Sequence, residues 1–151
     1  INISSIGVLS YSPRFSAYVA SKAALDAFSQ CAASEYSSDN ISFTTINMPL
    51  VRTPMIGPTK IYDSVPTLSP DEAADLIAEA IVHKPKRIAT RIGTFASVLH
   101  SLTPKFGEII MNTGFKMFPD SDAAKGKSKS DKPKVSTEQV AFAAIMRGIH
   151  W

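Results

Sequence analysis

Three side chains in this sequence have types and spacing suited to proton chemistry on an oxygen: Ser5, Tyr18 and Lys22. A free phenol has a pKa near ~10 and is a poor acid or base at neutral pH. An ammonium group beside it favours the phenolate and eases proton loss. Tyr18 and Lys22 stand four residues apart, so on a helix they share one face, one turn apart. That spacing lets a tyrosine work as a general acid or base. A serine hydroxyl delivered from a strand end could hydrogen-bond the same substrate oxygen. Taken alone, the Tyr–Lys pair reads first as a solvated helix face.

These residues need elements to position them. Ile1-Asn2-Ile3 runs into Ser4-Ser5 and Gly7, which predicts the end of a β-strand and the turn after it. The chain opens within that pattern and without Met, so the sequence is expected to be a piece of a longer protein; a processed N-terminus is the other reading. Residues 6–15 read as a loop through Gly7, Ser10, Ser12 and Pro13. From Ser16 an Ala-rich helix begins, with Leu25, Phe28 and Ala32 predicted on its core face, ending near 37–40. Residues 41–47 alternate and are β-branched, a second strand, followed by the Pro-bounded loop 48–54.

The next helix is the best marked. Ser69 is a candidate N-cap, Pro70 sits at the first helical position, and Glu72 completes a capping box. That helix, 71–83, carries Ala74, Ile77 and Ile81 on one apolar face. A third strand is predicted over 87–92. Apolar residues from Phe95 to Ile110 then follow helical spacing, with Pro104 as a kink or break. Residues 119–135 read as a flexible basic linker carrying Lys125, Lys127, Lys129, Lys132 and Lys134. Residues 136–151 read as a short terminal helix capped by Ser136 and ended by Gly148. The order β-α-β-α-β-α predicts an α/β fold with a parallel sheet. Three strands make a small sheet, which suggests part of a larger doubly wound, Rossmann-type domain.

Composition excludes several classes. The 151 residues are 44% hydrophobic and 19% charged, enough apolar material for a core. One cysteine excludes an internal disulfide framework, and Cys31 reads as a small buried hydrophobe. No apolar run reaches the ~18 residues of a membrane span. The first residues lack the basic and apolar regions of a signal peptide, and the expected location is cytoplasmic. The three histidines lie far apart without ligand spacing, so no metal site is predicted. The lysines of 125–134 are not interleaved with aromatics, so no nucleic-acid partner is predicted.

The wider string is more specific than the pair. Ile1-Asn2-Ile3-Ser4-Ser5, then Tyr18-Val19-Ala20-Ser21-Lys22 thirteen residues later, resembles the active-site half of the short-chain dehydrogenase/reductase family. The similarity runs in order over about residues 1–92. It implies that Tyr18 is the proton donor or acceptor for a carbonyl/alcohol pair. It implies that Lys22 binds the nicotinamide ribose hydroxyls and tunes Tyr18, and that Ser5 steadies the carbonyl. A second family element appears as Met48-Pro49-Leu50-Val51-Arg52-Thr53; by resemblance, the Val51 backbone and the Thr53 hydroxyl face the nicotinamide carboxamide. Pro49 falls where the family often has Gly, which puts backbone contacts there in doubt. The chain has no Gly-rich strand-to-helix turn to cradle a cofactor diphosphate. In the family that turn precedes the serine strand. The resemblance therefore implies the catalytic C-terminal half of an NAD(P)-dependent oxidoreductase, NADP(H) favoured, whose isolated fragment is inactive.

The substrate end admits two readings. The apolar stretch 93–118 either packs as core or forms a lip for a long acyl or other lipid substrate, with peripheral membrane contact. The arrangement resembles the fatty acyl-CoA reductases of the family, which implies a lipid or acyl-CoA substrate; sterols and sugar nucleotides are the narrower alternatives. The basic linker reads as a solvated tether or as a contact for anionic lipid. Ala23, Ala27 and Ala32 either permit close helix approach in a homodimer or tetramer, as in the family, or face the sheet. The rival from another class is a non-catalytic interaction module that binds a membrane or partner protein through 95–118 and the linker.

Overall fold

The computed structural model describes residues 1–56 and 66–117. The strands are β1 (Asn2–Ser5), β2 (Thr45–Met48) and β3 (Arg87–Ile88). The helices are α1 (Ile6–Ser10), α2 (Ser16–Glu35), α3 (Pro70–His83), α4 (Arg91–Leu102) and α5 (Pro104–Met117). The three strands form one sheet in the order β1-β2-β3, all parallel, with Ser5 level with Met48 and Thr45 level with Arg87. The chain is thus α/β, with helices between parallel strands as a Rossmann-type domain requires. The linker 119–135 and the terminal helix 136–151 lie outside the described residues.

Local chemistry sets most element boundaries. Ser69 caps α3 from its side chain while Glu72 reaches back to the Ser69 N–H, so the capping box forms as expected. Lys84 leaves α3 in the left-handed conformation, and Pro85 follows. Pro104 does not kink one long helix; it opens α5, since a first-turn proline has no hydrogen bond to lose.

Three expectations fail at short elements. Residues 6–10 are a helix rather than a loop, because Ser5 caps them by accepting from the Gly7 N–H at 3.1 Å. One turn is too short for hydrophobic periodicity to reveal. The third strand stops at Ile88 rather than 92, because Thr90 caps α4 through the Gly93 N–H at 3.1 Å. The second strand begins at Thr45, later than the alternation from 41 implied.

The core differs from the predicted apolar faces. Among the described residues its buried hydrophobes are Leu9, Ala32, Ile46, Leu68, Ala73 and Ala80. On α3 the sheet takes the face of Ala73 and Ala80, and Ala74, Ile77 and Ile81 lie exposed. On α2 the buried residues are Asp26, Ser29 and Ala32, while Leu25 is exposed and Phe28 is 58% exposed. Apolar residues lie all around α2, so spacing alone could not choose the sheet-facing side. Cys31 is exposed, not buried. Of the small residues, Ala32 faces the sheet and Ala27 is exposed.

Candidate active site

The parallel sheet gathers the candidate residues at its carboxyl edge. Ser5 ends β1 and lies buried. Its Oγ accepts from the Gly7 N–H, which leaves the hydroxyl proton free to donate outward. Helix α2 runs back along β1. Lys22 Nζ donates to the Ile3 carbonyl at 3.1 Å, and Ser4 Oγ donates to the Lys22 carbonyl at 3.3 Å. Seven residues further along α2, Ser29 bonds to Asn2. Advancing along the helix therefore means retreating along the strand, so Tyr18, one turn before Lys22, lies at the Ser5 end. A methyl group built on Gly7 would sit 3.4 Å from Ser5 Oγ and 3.5 Å from Val19 Cγ2. Little more than one carbon separates Ser5 from the residue beside Tyr18.

The Tyr18–Lys22 pair has the geometry the spacing called for. Lys22 Nζ is 6.0 Å from the Tyr18 ring centroid. Tyr18 is 47% exposed, so its face is open to a ligand. Lys22 is half-buried, and its bond to Ile3 uses one of three ammonium protons. Two protons remain for the acceptors of a ligand.

The residues present fit one end of a nicotinamide cofactor. Lys22 and Tyr18 offer a cation and a phenol at the sheet's carboxyl edge, where open α/β sheets bind their ligands. Val51 and Thr53 follow β2 at the same edge. Val51 bridges to Leu68, and the flanking Arg52 N–H donates to the Leu68 carbonyl at 2.7 Å, so the loop is held by backbone. Among the described residues neither Val51 nor Thr53 hydrogen-bonds Tyr18 or Lys22. No glycine-rich turn in the sequence would receive a diphosphate.

Spacing did not reveal a polar network behind this edge. Asn47 on β2 donates through Nδ2 to the Ser5 carbonyl at 3.4 Å and to Asp26 Oδ2 at 3.2 Å. Arg87 Nη2 lies 3.7 Å from the same Asp26 oxygen. Asp26 is 6% exposed and Asn47 1%. Each leaves its Oδ1 buried without a hydrogen-bond partner among the described residues. An unsatisfied buried polar group costs about 1–3 kcal/mol. The one available signal was that Asp26 continues the Tyr18–Lys22 stripe by one more turn.

Helices α4 and α5 form a hairpin beside the same segment. A Cβ on Gly93 would meet Ile6 at 3.1 Å, which sets α4 close against α1. His100 stacks on Tyr11 with centroids 4.3 Å apart, and Arg14 lies 4.4 Å from the Phe115 ring centroid. These contacts join the hairpin to the stretch between Ser5 and Tyr18. Its long apolar side chains point away from the packed face. Phe95, Val98, Leu102, Phe106 and Ile109 are exposed, Leu102 at 76%. The reading of 93–118 as packed core fails for these residues. A separate cavity, lined by Ser29, Phe43, Lys86 and Arg87, lies at the other end of the strands.

Comparison with known proteins fits this geometry. Residues 1–61, which hold Ser5, Tyr18, Lys22, Val51 and Thr53, match the short chain dehydrogenase family. The whole chain is 58% identical to a fatty acyl-CoA reductase of Acinetobacter baylyi, and it covers 50% of that protein. It is 48% identical over 152 aligned residues to an uncharacterized oxidoreductase of Mycobacterium tuberculosis, covering 45% of that protein. A fatty acyl-CoA reductase of M. tuberculosis is 45% identical over 112 residues. The chain thus spans about half the length of the first two relatives. No solved structure matches it. The matched segment also holds Asp26 and Asn47, while Arg87 and the α4–α5 hairpin lie beyond it.

Proposed function

We propose that this chain is the catalytic part of an NAD(P)-dependent oxidoreductase acting on a lipid carbonyl, with a long-chain acyl group as substrate and NADP(H) as the favoured cofactor. Supporting the reading is one observation above all: Lys22 is tied to β1, the strand that Ser5 ends, and its Nζ lies 6.0 Å from the Tyr18 ring centroid. Tyr18 gives the substrate oxygen its proton on reduction and takes it back on oxidation. Ser5 donates its free hydroxyl proton to the same oxygen. Lys22 holds the ribose hydroxyls with its remaining protons. Val51 and Thr53 face the carboxamide. The cofactor, when bound, supplies the hydride.

The acyl substrate rests on the names of two relatives and on the open apolar hairpin. In this reading α4 and α5 are the lip along which the acyl chain lies. Residues 1–118 make up the family domain with its substrate-side helices, 119–135 a basic tether and 136–151 a terminal helix. The working protein is a homodimer or tetramer with peripheral membrane contact. No helix among the described residues is long and apolar enough to cross a membrane.

The test is NADPH oxidation by the complete gene product with a long-chain acyl-CoA, beside Tyr18→Phe. Turnover in the wild type and a loss of about 10²–10⁴-fold in the variant is the expected result. A near-normal rate in Tyr18→Phe would defeat the assignment. The exposed apolar residues of α4 and α5 favour a second reading, a non-catalytic module that binds a membrane or a partner protein. Sedimentation with lipid vesicles, without any nicotinamide binding, would select it.

A further inference from the structure

We infer that Asn47 and Asp26 form a positioning pair that sets Ser5 against the Tyr18 helix. The inference deepens the reading above and takes its assignment of Ser5 as given. Ser5 and Tyr18 come from different elements, yet they must converge on one oxygen. Ser5 sits where β1 turns into a one-turn helix, at the end of its register with β2. Asn47 meets that need from the neighbouring strand. One amide nitrogen binds the Ser5 carbonyl and the Asp26 carboxylate together. Asp26 stands one turn beyond Lys22 on α2, so the amide ties the end of β1 to the helix that carries the pair. Both partners of that nitrogen are acceptors, so the amide's orientation is fixed by chemistry.

The form of the network points the same way. Both residues are buried, and both leave an oxygen unpartnered among the described residues. Apolar side chains would fill the seam without that penalty. A fold built for stability alone has no use for the arrangement; a site that needs a fixed Ser5 does. Arg87, half-exposed and 3.7 Å from Asp26, offsets the buried charge only from its outer side.

Two readouts test the inference in the complete gene product. The first is turnover in a mutant cycle of Asn47→Ala and Ser5→Ala. Because Asn47 acts through Ser5, Asn47→Ala should lower kcat by about ten- to a hundredfold with KM little changed, and should add nothing once Ser5 is Ala. Equal losses in both backgrounds, or no loss in either, would overturn it. The second does not depend on activity. The Gly7 amide is protected by Ser5 Oγ, so its hydrogen exchange reports where that hydroxyl sits. Exchange at Gly7 should quicken in Asn47→Ala while β2 amides keep their protection; unchanged exchange at Gly7 would refute the pair. Should Asn47→Ala fail to fold, Asp26→Leu removes the other end of the link and predicts the same two changes, with Asp26→Asn restoring both. If Tyr18→Phe kept full activity while Gly7 still loosened, the proposed chemistry would fall and the positioning pair would stand.

Discussion

The contact of α2 with the sheet and the α4–α5 hairpin use opposite chemistry. Along α2 the polar side chains turned to the sheet, Lys22, Asp26 and Ser29, are each bonded to a strand residue or its backbone, with Ala32 beyond them. Along the hairpin the large side chains turned outward are Phe95, Val98, Leu102, Phe106 and Ile109. The polar contact lies inside and the apolar one outside, the reverse of what the hydrophobic effect alone would choose. Hydrogen bonds are directional and fix angles; apolar contact is not and fixes only proximity. The directional side of the molecule is the one that must hold Ser5, Tyr18 and Lys22 in register. The non-directional side is suited to a flexible chain of methylenes.

This contrast can be broken from the hairpin side. Gly107 packs against His100, and a Cβ there would lie 2.6 Å from His100 Nδ1. The ring has little room to retreat because it stacks on Tyr11. Gly107→Ala should therefore destabilise the protein by about 1–3 kcal/mol, read as a shift in the urea midpoint. Wild-type stability would mean that the hairpin is loosely attached. A smaller effect is expected at Ser69, which lies outside both regions. Ser69→Ala removes the α3 cap and should cost about 1 kcal/mol by the same measurement.

The smallest effect is one of pH. The Ser69 backbone N–H donates to Glu72 and holds its carboxyl below the usual 4.5, with the Ser69 side chain adding to this. A lowered folded-state value means that the charged form is favoured by folding. The contribution is therefore complete above about pH 4.5 and is lost as the pH falls through the lower folded value. Glu72→Gln should flatten the acid limb of a stability-versus-pH curve, and an unchanged limb would show that the carboxyl plays no part.

The sequence made some of this legible and hid the rest for physical reasons. The α3 cap was readable because Ser69, Pro70 and Glu72 act on their own helix. Tyr18 and Lys22 were readable because four residues make a turn wherever the helix lies. The side of α2 that meets the sheet was not readable, because Leu25 and Phe28 make the more apolar face while the side used carries Lys22, Asp26 and Ser29. Asn47 was hidden more deeply. Its strand shows the β-branched pattern of a buried strand, and its importance comes from Ser5 and Asp26, which are far away in sequence.

The central claim is that Ser5 and Tyr18 act on one oxygen at the sheet edge. A double-mutant cycle of Ser5→Ala and Tyr18→Phe, read as kcat/KM for the carbonyl substrate in the complete gene product, tests it most directly. If the two share the oxygen, the double variant should be about as slow as Tyr18→Phe alone, since groups that act as a unit are strongly non-additive. Losses that multiply, each residue costing the same with or without the other, would contradict the account.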